Sequence, residues 1–158
     1  MILKVFISHK DIDCDIALHV QNVLAENQVD AYLDLLDNSI TETGEKLTKH
    51  IKKKLNECSD ILVVMSENTK NSWWVPFEIG MAAQKDLPTV SYLNSGIVLP
   101  DYLSYWTRLK DNADILKYIQ SRNKVRNEII NEMYNSQIIS SNKLSETERF
   151  YQELKRQL

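Results

Sequence analysis

The run ILVVMS at residues 61–66 is apolar at five consecutive positions. A strand with one wet face alternates apolar and polar residues. A strand apolar on both faces is covered above and below, as in the middle of a parallel sheet. After a short polar gap comes SWWVPFEIGMA at 72–82, an apolar segment of helical length. Pro76 falls near its first turn, where a missing N–H is tolerated. Inside this segment stands one acid, Glu78, four residues after Trp74. Positions i and i+4 share a helix face. This stretch alone has two readings: a surface helix with one solvated Glu, or a carboxylate beside a large aromatic plane that holds a flat heterocycle for chemistry on the sugar attached to it.

The same alternation extends in both directions. Residues 3–8, LKVFIS, read as a first strand. Ile16, Ala17, Val20, Val23 and Leu24 put an amphipathic helix over 13–27. VDAYL at 29–33 reads as a second strand, and the polar stretch Asp37–Gly44 leads into a helix ending near Glu57. The central strand spans 60–66 and the Trp-rich helix 72–85. Leu87-Pro88 ends that helix and opens a fourth strand at TVSYL, 89–93. YWTRL at 105–109 is a fifth strand, followed by a short helix over 111–121.

Strand and helix alternating five times require an α/β fold, a five-stranded parallel sheet with helices on both faces. The expected strand order is 2-1-3-4-5. In that order the winding reverses between strands 1 and 3, and a crevice opens beyond their carboxyl ends. Ser8, His9, Lys10 and Asp11 follow strand 1, and the helix carrying Trp74 and Glu78 follows strand 3. Both polar clusters are therefore aimed at one cleft. Beyond Asn123 the pattern changes to two helices, 123–135 and 145–157, with stripes of Ile129, Ile130, Met133 and Tyr134, then Phe150, Tyr151 and Leu154. The expected division is a domain at 1–122 and a C-terminal helical extension at 123–158, packed on the sheet domain or on a partner.

Composition narrows the classes. The chain has 158 residues, 43% hydrophobic and 26% charged, enough for one full core. The formal net charge of −3 speaks against a broad nucleic-acid footprint, so no nucleic-acid partner is expected. The basic cluster Lys49-His50-Ile51-Lys52-Lys53-Lys54 reads as a solvated helix face with Leu47, Ile51 and Leu55 inward. No apolar run reaches the roughly 18 residues that cross a bilayer, and the N-terminus lacks the layout of a signal peptide. No membrane partner is expected. Cys14 and Cys58 fit no metal spacing, which suggests packed thiols in a reducing cytoplasm. Three glycines exclude GxGxxG and the P-loop.

Several positions carry two readings. His9 either touches a ligand or braces the turn after strand 1, and Ser8 either touches a ligand or caps that turn. Asp34 either meets a ribose or ends its strand. Trp73, Phe77 and Met81, at i, i+4 and i+8, are expected in the core, as is Trp106. Asp13 and Asp15 read as helix-start charges favoured by the dipole.

FISH at 6–9, YLD at 32–34 with the polar loop after it, and WVPFE at 74–78 together resemble a TIR domain (Toll/interleukin-1 receptor/resistance protein) of the bacterial kind. The resemblance covers about residues 3–121. It implies a flavodoxin-like sheet and an NAD-cleaving enzyme, a glycohydrolase or cyclase. In such members the glutamate on the helix after strand 3, here Glu78, is catalytic, and the aromatic four residues earlier, here Trp74, lines the site. The loop after strand 2, here Asp34 to Glu45, often completes the pocket across a neighbouring TIR protomer. Where many relatives have an aromatic and arginines, this chain has His9, Lys10 and Asp11.

Under that resemblance NAD is the substrate and no cofactor or metal is needed. Nicotinamide is already cationic in NAD and leaves neutral, so a second carboxylate is unnecessary. Glu78 is expected to stabilise the oxocarbenium-like sugar, Trp74 or Phe6 to stack on a ring, and Lys10 to meet a phosphate. Standalone chains of this size resemble the signal-making proteins of antiphage systems such as Thoeris, whose cyclic or modified ADP-ribose reaches a separate effector protein. Two other readings are a non-catalytic TIR scaffold acting by homotypic assembly and a nucleoside-processing transferase with a similar sheet.

Overall fold

A computed structural model describes residues 3–33, 44–93, 96–134 and 144–158. The chain divides into two compact units, residues 1–112 and 113–158. The first contains a five-stranded, all-parallel sheet: β1 (Lys4–Ser8), β2 (Asp30–Leu33), β3 (Asp60–Val64), β4 (Thr89–Tyr92) and β5 (Thr107–Leu109). The order is β2-β1-β3-β4-β5, as the alternation requires. The fold is flavodoxin-like. Every residue of β3 is buried, as expected of a central strand covered on both faces.

Strand alternation divides the core. Phe6, Ile61 and Val63 face α2 (Gly44–Glu57) and α3 (Trp74–Gln84), joining Ile51, Leu55, Val75, Ile79 and Ala82 in one cluster. Val5, Ile7, Leu62 and Val64 alternate with them and are equally buried, so they serve the other face. Helix α1 (Cys14–Glu26) packs on β1 and β2 through Ala17, Val20 and Leu24, none of which belongs to the first cluster. Right-handed crossovers on either side of β1 place helices on opposite faces in this way. In α2, Lys49 pairs with Glu45 at 2.6 Å and Lys54 with Glu57 at 3.3 Å while Ile51 and Leu55 point inward, so its basic cluster is a solvated face.

Several expectations change. A short helix α4 (Asp101–Ser104) precedes β5, and the strand starts at Thr107, leaving Tyr105 exposed and Trp106 half-buried against the core. The helices expected at 111–121 and 123–135 are one continuous α5 (Asn112–Tyr134), so position 122/123 lies in mid-helix. Nothing between Gln120 and Lys124 breaks a helix: the intervening Ser, Arg and Asn all have tolerable propensity.

The second unit holds most of α5 together with α6 (Glu146–Gln157). Ser145 and Glu148 form a reciprocal capping box at the start of α6. Tyr118 meets Phe150 edge-on at 5.8 Å, and Arg122 lies over the Phe150 ring at 5.3 Å. Arg149 bridges Glu128 at 2.9 Å and Glu132 at 3.1 Å.

Candidate active site

The site is built where β1 and β3 end. Parallel pairing sets Ser8 opposite Val63, so the chain leaving β1 and the chain leaving β3 emerge side by side. From β1 come Ser8, His9 and Lys10. From β3 the chain runs through Ser66 and a 3-10 turn at Thr69–Asn71 into α3. The Ser72 hydroxyl accepts the Val75 N–H at 3.2 Å, satisfying one of the free donors at the start of α3.

Glu78 points inward. It is only 3% exposed, and the Ser8 hydroxyl donates to its Oε2. The two residues are 70 apart in sequence, so this contact joins strand 1 to the helix after strand 3. A buried ionised carboxylate is costly unless hydrogen bonds hold it, and Ser8 supplies one. Trp74 sits one turn earlier, half-buried against the core, with Phe77 edge-on at 5.8 Å. His9 is buried at 8% exposure and Lys10 is half-exposed. Five of the expected residues therefore share one end of the sheet: Ser8, His9, Lys10, Trp74 and Glu78.

Phe6 does not stand there as expected. Phe6 is fully buried in the core, tilted against Tyr32 with ring centroids 5.5 Å apart. Its ring supports the sheet and is not available to stack on a substrate. Asp34, and the loop expected to complete the pocket up to residue 43, lie outside the described residues.

The outward face of α3 is a second correction. Trp73 and Phe77 were expected in the core, but Trp73 is 89% exposed and Phe77 38%. Met81 is half-buried. The inward positions are Val75, Glu78, Ile79 and Ala82. Phe77 and Met81 instead line an open groove of about 390 Å³ between α2 and α3, with Leu55, Pro76, Lys52 and Gly80. None of the five site residues lines it.

Asp13, expected as a helix-start charge, makes no side-chain cap hydrogen bond and is 4% exposed. It accepts from Ser66 Oγ at 2.6 Å and Asn68 Nδ2 at 3.2 Å, on the segment after β3. The sequence signal was the position itself, at the end of the turn after strand 1 and facing the reversal of winding.

Cys58 lies just past α2, and burial pushes its thiol up to about 11. It is an inert packed thiol. Among the described residues no group of three His, Cys, Asp or Glu is placed to hold a metal, and no helix is long and apolar enough to cross a membrane.

No curated protein matches the chain. Among solved structures it is similar to the TIR domains of the activated Roq1 resistosome that directly recognises the pathogen effector XopQ, with 18% identity, a TM-score of 0.46 and 99% of each chain covered. It is also similar to the glutaminase domain of Trypanosoma brucei CTPS with bound acivicin, with 13% identity, a TM-score of 0.36, and 79% of this chain and 42% of that one covered. The TIR domain family model matches residues 5–129, from the first strand into α5. With the strand order, the β1 end and the Trp74–Glu78 helix in place, the chain belongs to the TIR domain family.

Proposed function

We propose that this TIR domain cleaves NAD between nicotinamide and ribose. It releases nicotinamide and makes an ADP-ribose-derived, cyclic signal for a separate effector in cytoplasmic antiphage defence, as the resemblance to standalone bacterial TIR proteins implies. The observation that carries the reading is the buried Glu78 carboxylate, held by the Ser8 hydroxyl at the reversal point of the sheet.

The chemistry follows from that placement. As the glycosidic bond lengthens, positive charge grows on the ribose while the departing nicotinamide becomes neutral. A carboxylate already held in place stabilises that charge without reorganising, and low local dielectric strengthens the attraction. No proton donor is required for the leaving group. Trp74 offers a ring face for nicotinamide, and Lys10 a point charge for the pyrophosphate. His9 and Ser8 line the same strand end. Asp34 and the loop to Glu45 contribute ribose contacts in this reading, completed by a second TIR protomer.

Incubating the purified chain with NAD and identifying products by mass spectrometry tests the proposal. Wild type releases nicotinamide with a cyclic or linear ADP-ribose product, and Glu78→Gln releases it at least about 100-fold more slowly while keeping its melting temperature. Full turnover by Glu78→Gln sinks the reading. A second reading, a non-catalytic scaffold acting through homotypic TIR–TIR assembly, is favoured by the apolar groove beside Phe77 and the exposed Trp73. Its signature is self-association without NAD loss and indifference to Glu78 substitution.

A further inference from the structure

An aspartate at a helix N-cap ordinarily accepts a backbone N–H from its own first turn. Asp13 stands at the N-cap of α1 and makes no such contact. Its carboxylate reaches across to Ser66 Oγ at 2.6 Å and Asn68 Nδ2 at 3.2 Å. The loop it grips is braced internally. The Asn68 N–H donates to Ser66 Oγ at 2.9 Å, the Ser66 N–H to Thr69 Oγ1 at 2.8 Å, and Thr69 Oγ1 to the Val64 carbonyl at 3.3 Å. Asp13, Ser66 and Thr69 are all buried.

The end of β1 and the turn after it thus meet α3 and the loop before it at two places. One is Ser8 with Glu78 and the other is Asp13 with Ser66 and Asn68. The first holds the carboxylate itself, and the second holds the loop from which its helix begins. A helix packed at one side and free at its feeding loop has latitude to slide, and a gripped loop removes it.

We propose that Asp13 is a positioning residue for Glu78, clamping the loop before α3 so that Trp74 and Glu78 stand in register with the end of β1. This rests on the NAD-cleaving reading for its kinetic consequence, while the clamp itself is testable without turnover. Asparagine at position 13 keeps one acceptor oxygen and loses the negative charge, so the two charge-assisted contacts weaken to neutral ones at best.

The test measures nicotinamide release and the indole N–H resonance of Trp74, assigned by its disappearance in Trp74→Phe. Asp13→Asn and Ser66→Ala are compared with Ser121→Ala, which removes a part-buried hydrogen bond to the Lys117 carbonyl in the second unit. The expected result in Asp13→Asn is a kcat lower by roughly 10- to 100-fold with KM little changed, as for a misplaced reacting group. The Trp74 resonance moves in Asp13→Asn and in Ser66→Ala and stays put in Ser121→Ala. Combining Asp13→Asn with Asn68→Asp reverses donor and acceptor and restores both readouts. A Trp74 resonance unmoved in Asp13→Asn and Ser66→Ala overturns the proposal, as does a loss confined to KM. Should wild type release no nicotinamide, the functional reading falls, and the resonance alone decides the clamp.

Discussion

Two glutamates in this chain solve opposite problems. Glu78, at the end of the sheet in the first unit, is buried and meets a neutral hydroxyl. Glu153, on α6 in the second unit, is surrounded by donors: Arg156 at 2.6 Å, Gln157 at 2.8 Å and Lys124 at 2.9 Å. Arg156 first, then Gln157 and Lys124, hold the Glu153 carboxyl down at about 2. A carboxylate so fully neutralised has nothing left to offer a cationic transition state. The difference teaches how a fold separates its acids. Arg156 from the same helix and Lys124 from α5 commit Glu153 to stability, whereas the hydroxyl of Ser8, at the end of β1, holds Glu78.

The sharpest way to break this comparison is to exchange the outcomes. Glu78→Gln is expected to lower nicotinamide release by at least about 100-fold, in the range seen when one pre-placed electrostatic contact to a transition state is removed. Glu153→Gln leaves turnover unchanged, and equal losses in a nicotinamide assay would erase the distinction. Next in size, Trp74→Ala raises KM for NAD by roughly tenfold, the loss of one stacked ring. An initial-rate series in NAD reads that directly, and an unchanged KM removes Trp74 from the site. Ser8→Ala leaves a buried carboxylate short of a donor and costs about 1–3 kcal/mol in urea unfolding. The smallest effect is acid sensitivity in the second unit. The Glu153 carboxyl is held below its unfolded value of 4.5, so its network stabilises the fold above that pH and the contribution is lost as pH falls toward 2. Melting curves over that window should flatten in Glu153→Gln relative to wild type.

Helix α3 shows where sequence reading stops. Its large apolar residues, Trp74, Val75, Phe77, Ile79 and Met81, spread over more than half of its circumference. Trp73, Phe77 and Met81 make a stripe at helical spacing, and so do Val75, Ile79 and Ala82. Periodicity identifies a helix in such a segment but not its rotation. Packing chose the smaller set, because Val75 and Ile79 fit against Ile61 and Val63 in the same cluster. That choice exposed Trp73 and turned Glu78 inward. Phe6 failed for a related reason. Its motif suggested a ligand contact, yet alternation along β1 sends it to the α2–α3 core.

Asp13 illustrates a further limit. A carboxylate before a helix has a local explanation in the dipole and the cap, and that explanation competes with its place beside the reversal of winding. Its partners, Ser66 and Asn68, are more than fifty residues away.

What could be settled from residues alone was the alternation of strands and helices, the central place of ILVVMS, the parallel order and the end of the sheet at which polar groups gather. These follow from local hydrophobic period and from the handedness of crossovers, both properties of short stretches of chain. The tertiary structure alone decided which face of α3 turns inward, that Ser8 reaches Glu78, that Asp13 grips the loop after β3, and that α5 runs unbroken. Each of these is a choice between arrangements nearly equal in local propensity, and only contact with residues distant in sequence separates them.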